Sequence, residues 1–194
     1  MRKSREETAR TRERIIAAAS AEFREHGIVA TGLADLMKAA GLTHGGFYKH
    51  FNSKDELVRE VAAASISSGT ARMKANADKS PGRKGLRAVV ESYLSPDHRD
   101  RPRDGCPFAS LGVELARADA KTRVAATEGF LRYVVVLASR CDTLRPDQAK
   151  KRAIAAAATM IGALTMARVV KDPELSDSIL KNAVDSILRS FEQT

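Results

Sequence analysis

Apolar residues in this chain recur at intervals of three and four, and nowhere do they alternate with period two for long enough to make a strand. That pattern leaves no sheet to build, so an all-α fold of about nine helices is expected. Gly, Pro and small polar caps mark where the helices stop and start. Ser4 and Glu7 stand at capping-box spacing ahead of a first helix that carries Ile16, Ala19 and Phe23 and closes at His26 and Gly27. Thr31 can cap a second helix of about two turns, with Leu33, Leu36, Met37 and Ala40 on one face and Gly41 as its left-handed terminal residue. Thr43 then caps a third short helix, in which Phe47 and Phe51 point one way while Tyr48, Lys49 and His50 fall off that line.

Ser53 and Glu56 repeat the capping-box spacing before Leu57, Val61 and Ala64, so a long fourth helix is expected from about Lys54 into the seventies, ending before Ser80, Pro81 and Gly82. Leu86, Val89, Val90, Tyr93 and Leu94 form a fifth helix that Ser95 and Pro96 terminate, and a polar loop with Arg99, Arg101 and Arg103 runs to Gly105. Pro107 suits the first position of a helix through Leu111, Leu115 and Ala118. Thr122 to Cys141 follows, with Phe130, Tyr133, Val134 and Leu137 on one face. Two last helices, Ala149 to Val170 and Leu175 to Phe191, lie after Pro146 and are separated by Pro173; the second carries the stripe Leu180, Val184, Ile187 and Phe191.

With 194 residues the chain can bury roughly 70% of its unfolded surface, enough for a core without staples. Lys and Arg number 33 against 24 acidic residues, a formal charge of +9 that suits an anionic partner, nucleic acid or an anionic membrane surface. Two cysteines cannot form a disulfide framework, which fits a reducing, cytoplasmic setting. The uncharged stretch Ala153 to Ala167 falls short of the ~20 apolar residues of a membrane span, and Glu6, Glu7 and Glu13 are out of place in a signal peptide, so neither is expected.

Two short helices joined by Gly41, Leu42 and Thr43 have the spacing of a helix-turn-helix, whose second helix enters the major groove of DNA. From Thr31 to Leu57 the run TGLADLMKAAGLTHGGFYKHFNSKDEL resembles the DNA-binding segment of the tetracycline-repressor (TetR) family of bacterial transcriptional regulators, and GCPFASLGVELAR from Gly105 to Arg117 resembles one branch of it. The resemblance implies a repressor that binds a palindromic operator as a homodimer and leaves it on meeting a small inducer; a thiol-reactive signal is the alternative that the position of Cys106 raises. It implies residues 1–53 as the DNA-binding domain and residues 54–194 as the ligand-binding and dimerisation domain, the fourth helix joining them. Thr31, Thr43, Tyr48, His50 and Lys54 would hold phosphates, His44, Gly45 and Gly46 would face base edges, and Lys49 would belong to the same surface. Hydroxyls, a phenol, an imidazole and an ammonium suit phosphate oxygens, and the rings of Phe47 and Phe51 suit a core. The Gly45–Gly46 pair departs from the pattern: it costs roughly 1 kcal/mol per Gly in a helix and leaves few side chains for readout, which close backbone approach to DNA would offset.

Rival readings stand beside these. Tyr48 and His50 serve equally as surface residues, and Arg2, Lys3 and Arg5 form a minor-groove arm or a solvated tail. Ala155 to Ala158 with Gly162, and the stripe ending at Phe191, point to a homodimer through the last two helices, with core burial within one subunit as the rival. Phe108, Leu111, Phe130, Tyr133 and Met160 line an inducer pocket or pack the core. Cys106, between Gly105 and the helix-starting Pro107, is a thiolate favoured by a helix N-terminus or a buried small hydrophobe. An enzyme is not expected, since His26, His44, His50 and His98 offer no metal-binding pair and no nucleophile-elbow, Walker or dinucleotide motif occurs; neither metal nor cofactor is called for. A basic adaptor for an acidic protein or lipid would need no recognition helix.

Overall fold

The computed structural model describes residues 5–141 and 143–192. Among them are nine α-helices, two 3-10 turns and no strand: α1 (Arg5–His26), α2 (Leu33–Ala39), a 3-10 turn at His44–Lys49, α3 (Lys54–Ala77), α4 (Gly82–Tyr93), α5 (Pro96–Asp100), a 3-10 turn at Pro102–Asp104, α6 (Pro107–Arg117), α7 (Ala120–Ala138), α8 (Pro146–Val169) and α9 (Pro173–Ser190). The expected cap at Ser4 and the basic residues Arg2 and Lys3 lie outside the described residues.

Two hydrophobic clusters organise the chain. The amino-terminal one gathers Ile15, Ala19 and Phe23 of α1, Leu36 and Met37 of α2, Phe47 and Phe51, and Leu57 to Ala62 of α3, and it borrows Leu111 and Leu115 from α6. The larger one joins the rest of α3 to α4, α7, α8 and α9. α3 crosses from one cluster to the other and packs along α7, while α8 lies against α6, α7 and α9. α8 is the described helix long and apolar enough, by length and composition, to cross a membrane.

Several local expectations change. In α1 the inward face is Thr11, Ile15, Ala19 and Phe23, and Ile16 is only half-buried, because the i+4 rows of Ile15 and Phe23 pass through Ala19. Gly32, not Thr31, caps α2, and the Thr31 hydroxyl turns back to donate to the Gly27 carbonyl. Gly41 takes φ +66, the left-handed value a helix terminus prefers to give to glycine. The third helix is a 3-10 turn, the tighter form short segments adopt. Ser53 caps α3 by accepting from the Glu56 amide at 3.1 Å, but the Glu56 carboxylate reaches Asn52, accepting from its backbone and side-chain nitrogens at 2.8 Å, instead of closing a box on Ser53. Ala64 faces solvent, and Ser65 takes the buried place, sharing a 2.6 Å hydrogen bond with Ser20 of α1.

The polar loop to Gly105 contains structure that was not expected. Ser95 and Pro96 end α4 and also start α5: the Ser95 hydroxyl accepts from His98 N at 3.2 Å and Pro96 fills the first helical position. A stop signal here doubles as a start signal. Pro173 likewise opens α9, capped by Asp172. Leu180, Ile187 and Phe191 of the α9 stripe are buried inside the subunit, packed into the larger cluster.

Candidate nucleic-acid interface and the cavity behind it

The His44–Lys49 turn is anchored from below and open above. Phe47 is fully buried and Phe51 nearly so, their rings stacked at 5.6 Å, with the Arg12 guanidinium 4.2 Å over Phe51. Arg12 is held by Glu56 at 3.1 Å and by Glu60, so α1, the turn and α3 form one rigid corner. On the other side Thr43, His44, Gly45, Tyr48 and Lys49 are exposed, Tyr48 at 66% despite its edge contact with Phe47. Gly46 and His50 are half-buried. Thr43 occupies the cap position without spending its hydroxyl on the helix. A phenol, a hydroxyl and an ammonium thus stand outward on an apolar base, the arrangement that contact with a phosphate backbone needs.

Two residues expected among the phosphate contacts are spent on the chain itself. Lys54 Nζ donates to the carbonyls of Ile28 at 2.6 Å and Thr31 at 2.7 Å, and Thr31 is buried. The loop between α1 and α2 leaves carbonyls that lack helical partners, and the ammonium at the start of α3 satisfies them. From the other side Glu114 of α6 accepts from Ile28 N at 2.7 Å and Val29 N at 3.0 Å. Neither role has a local signature, because the partners lie 23 to 86 positions apart.

The Gly45–Gly46 pair is not required by the chain. Neither glycine is among those with positive φ. A Cβ on Gly45 would meet nothing within 4 Å, and one on Gly46 would make an ordinary 3.5 Å contact with Met37. The room is left on the outside.

Behind this corner lies a cavity of about 350 Å³, lined by Gly69, Arg72 and Met73 of α3, Val89 and Tyr93 of α4, Asp97 and His98 of α5, and then Arg101, Asp104, Cys106 and Tyr133. Of the expected pocket residues, Cys106 and Tyr133 face it. Phe108 and Phe130 line a separate, shallower groove between α6 and α7, their rings 6.1 Å apart, while Leu111 and Met160 are core residues that reach neither space. Cys106 is buried, with Sγ 3.9 Å from Tyr133 Oη. His98 holds the start of α6 in place: its Nδ1 is 2.7 Å from the Tyr93 carbonyl and its Nε2 accepts from Cys106 N at 3.0 Å. A backbone carbonyl must receive a proton, so Nδ1 carries it and the ring is neutral. Burial lowers the His98 pKa, and the charges of Arg168 and Arg72 act the same way.

The Pro102–Asp104 turn belongs to both regions. Arg101 and Asp104 line the cavity, whereas Arg103 points to α1, paired with Glu22 at 2.7 Å and with Glu25, and its carbonyl accepts from Arg24 Nε at 2.8 Å. None of this was visible in a segment that reads as a polar loop.

An exposed, rigidly based recognition turn on an all-helical chain defines a helix-turn-helix DNA-binding regulator. Residues 15–61 match the bacterial regulatory proteins of the tetR family and residues 82–183 match the tetracyclin repressor-like C-terminal domain. The chain belongs to the TetR family. It is 31% identical over 173 residues, 83% of its length, to an uncharacterized HTH-type transcriptional regulator of Mycobacterium tuberculosis, of which it covers 86%. It is 34% identical over half its length to the transcriptional regulator AcrR of Shigella flexneri, covering 48% of that protein. Among solved structures, that of Escherichia coli NemR in its reduced form superposes with a TM-score of 0.78 at 20% identity, covering 92% of this chain and 95% of that one. The chain is a DNA-binding transcriptional regulator and not an enzyme.

Proposed function

We propose that this regulator represses transcription by binding a palindromic operator as a homodimer, and that a small molecule in the cavity releases it. Residues 1–53 bind the DNA; residues 54–194 bind the signal and the second subunit. The observation that carries the reading is the split character of the 44–49 turn, with Phe47 and Phe51 locked inside and Thr43, His44, Gly45, Tyr48 and Lys49 outside. Thr43, Tyr48, Lys49 and His50 take phosphates, and His44, Gly45 and Gly46 lie against base edges. Thr31 and Lys54 shape the loop beneath. An exposed Gly45 that its own chain does not require suits a backbone that must come close to a partner.

Dimerisation through α8 is supported by the face that the subunit leaves uncovered, where Ile154, Ala155, Ala158, Thr159, Gly162, Met166 and Val169 are exposed along one side. Small residues there let a second helix approach closely. α9 borders that face. Release is routed through the Pro102–Asp104 turn: a ligand that displaces Arg101 or Asp104 on the cavity side pulls on the Arg103 pairs with Glu22 and Glu25, and thereby on α1. A thiol-reactive signal would act at the same wall, through Cys106.

Selection of bound duplexes from random DNA, followed by salt titration, tests the reading. A two-fold symmetric motif is expected, and Tyr48→Ala is expected to weaken all duplexes and reduce the salt slope. An asymmetric motif bound at full affinity by a monomer would refute it.

A further inference from the structure

The deep wall of the cavity offers donors that the chain does not use. Tyr93 is buried, and its hydroxyl has no hydrogen-bond partner among the described residues; the nearby Cys106 thiol is at most a weak acceptor. Tyr133 Oη meets the Cys106 sulfur at 3.9 Å, the long end of such a contact. Burial raises both phenols above their ordinary value, so both keep their protons and remain donors. His98 cannot answer them, since both its ring nitrogens are engaged. An unmet hydroxyl in a buried place destabilises the fold, which makes a bare Tyr93 a costly choice over Phe unless something else accepts from it.

The charge around the cavity points the same way. Arg72 on its wall donates to the Asp104 carbonyl at 2.9 Å and to Ser68 Oγ at 3.3 Å. Behind the wall Arg24 is held by the Arg103 carbonyl, Ser20 and Ser65, and Arg168 by the carbonyls of Arg99 and His98 and the hydroxyl of Ser110. All three guanidiniums therefore rest on neutral acceptors, and burial of Arg24 and Arg168 lowers their pKa. Asp97 and Asp104, the acidic residues of the lining, are exposed to water at the rim, as are Arg72 and Arg101, so the partly buried Arg24 and Arg168 behind the wall set the sign of the field inside. Arg24 and Arg168 are hydrogen-bonded to dipoles alone, with Asp104 and Asp100 acting on them only through space, and such a field favours a negative ligand. Met73, Val89 and the two tyrosine rings supply apolar walls of a size that fits a small ring.

We infer that this cavity receives a small organic anion, whose oxygens accept from Tyr93 and Tyr133 and lie in the field of Arg72, Arg24 and Arg168. The inference rests on the reading that the cavity takes the signal molecule, and it names the chemical class of that molecule. Benzoate, with benzamide as its neutral analogue and benzylamine as a cation, serves as the probe set, titrated calorimetrically into the full chain at low salt.

Benzoate is expected to bind saturably, about tenfold or more tighter than benzamide, with benzylamine silent. Tyr93→Phe should weaken benzoate about tenfold while leaving the ligand-free protein as stable as before or more so, because the substitution removes an unmet hydroxyl. Arg72→Gln should weaken it several-fold. Equal or tighter binding of benzamide, no saturable benzoate binding at millimolar concentration, or unchanged benzoate affinity in Tyr93→Phe would each overturn the assignment. DNA release is followed in parallel. If benzamide or benzylamine binds and frees the DNA while benzoate does not, the anion class fails and the cavity remains a signal receptor. If benzoate binds with the expected dependence on Tyr93 and the DNA stays bound, the anion site stands and the release reading fails.

Discussion

The recognition turn and the cavity solve opposite problems. The first presents polar groups outward on a rigid apolar base drawn from a short continuous segment, with Phe47 and Phe51 inside and Tyr48 and Lys49 outside. The second turns polar groups inward from α3, α4, α5, the Pro102–Asp104 turn and α7, and leaves one of them, the Tyr93 hydroxyl, with nothing better than the weak Cys106 thiol to meet it. A surface for a long polyanion can be complete before the partner arrives, because water satisfies every exposed donor. A hydroxyl buried in the deep wall of a cavity cannot rely on water, so its incompleteness is the sign of what the site takes. The two meet at one short turn, whose Arg103 reaches α1 while Arg101 and Asp104 line the cavity.

Four substitutions break or sharpen this comparison, in falling order of effect. Lys54→Met removes the donor that closes the Ile28 and Thr31 carbonyls, and should cost about 2 kcal/mol of stability by chemical denaturation. The salt slope of residual DNA binding should then be unchanged; a slope reduced by about one, with stability intact, would return Lys54 to the phosphate contacts. Gly45→Ala should lower operator affinity by about tenfold and leave stability equal or slightly improved, since Ala favours helix and nothing in the chain opposes its methyl. Unimpaired binding would show that the backbone does not approach DNA there.

Arg103→Ala should cost no more than about 1 kcal/mol, because its pairs with Glu22 and Glu25 are partly exposed. DNA binding should persist while ligand-induced release weakens; release at the usual ligand concentration would locate the coupling elsewhere. His98→Gln addresses pH. Its pKa in the folded chain lies below the ordinary value near 6.5, so the unfolded chain binds the extra proton first and stability falls as pH drops from about 7 through the folded value. Protonation would also set Nε2–H against the Cys106 amide. The variant should lose part of that slope between about pH 7 and 5, measured by thermal melts, and an identical slope would exclude His98.

Legibility followed distance along the chain. The stretch from Gly41 to Ser53 was readable because each signal acts over at most a few residues: a left-handed glycine, a cap at Thr43, aromatic rings one turn apart, a cap at Ser53. α5 was missed although Ser95 and Pro96 were noticed, since the same pair ends one helix and begins the next. Most of the α9 stripe packs within its own subunit, which periodicity could not show, because an apolar face records that it must be buried and not by which chain.

The sequence alone thus determined the helical class, the helix-turn-helix and the inward and outward faces of its second element, all set by periodicity and capping within a turn or two. Only the tertiary structure decided that Lys54 serves carbonyls, that Arg103 joins two regions, and that Tyr93, Tyr133, Cys106 and His98 share one cavity. Those relations depend on the packing of α3 and the Pro102–Asp104 turn against α1, and of α3 against α4 and α7, and packing brings together residues whose separation along the chain carries no trace of their separation in space.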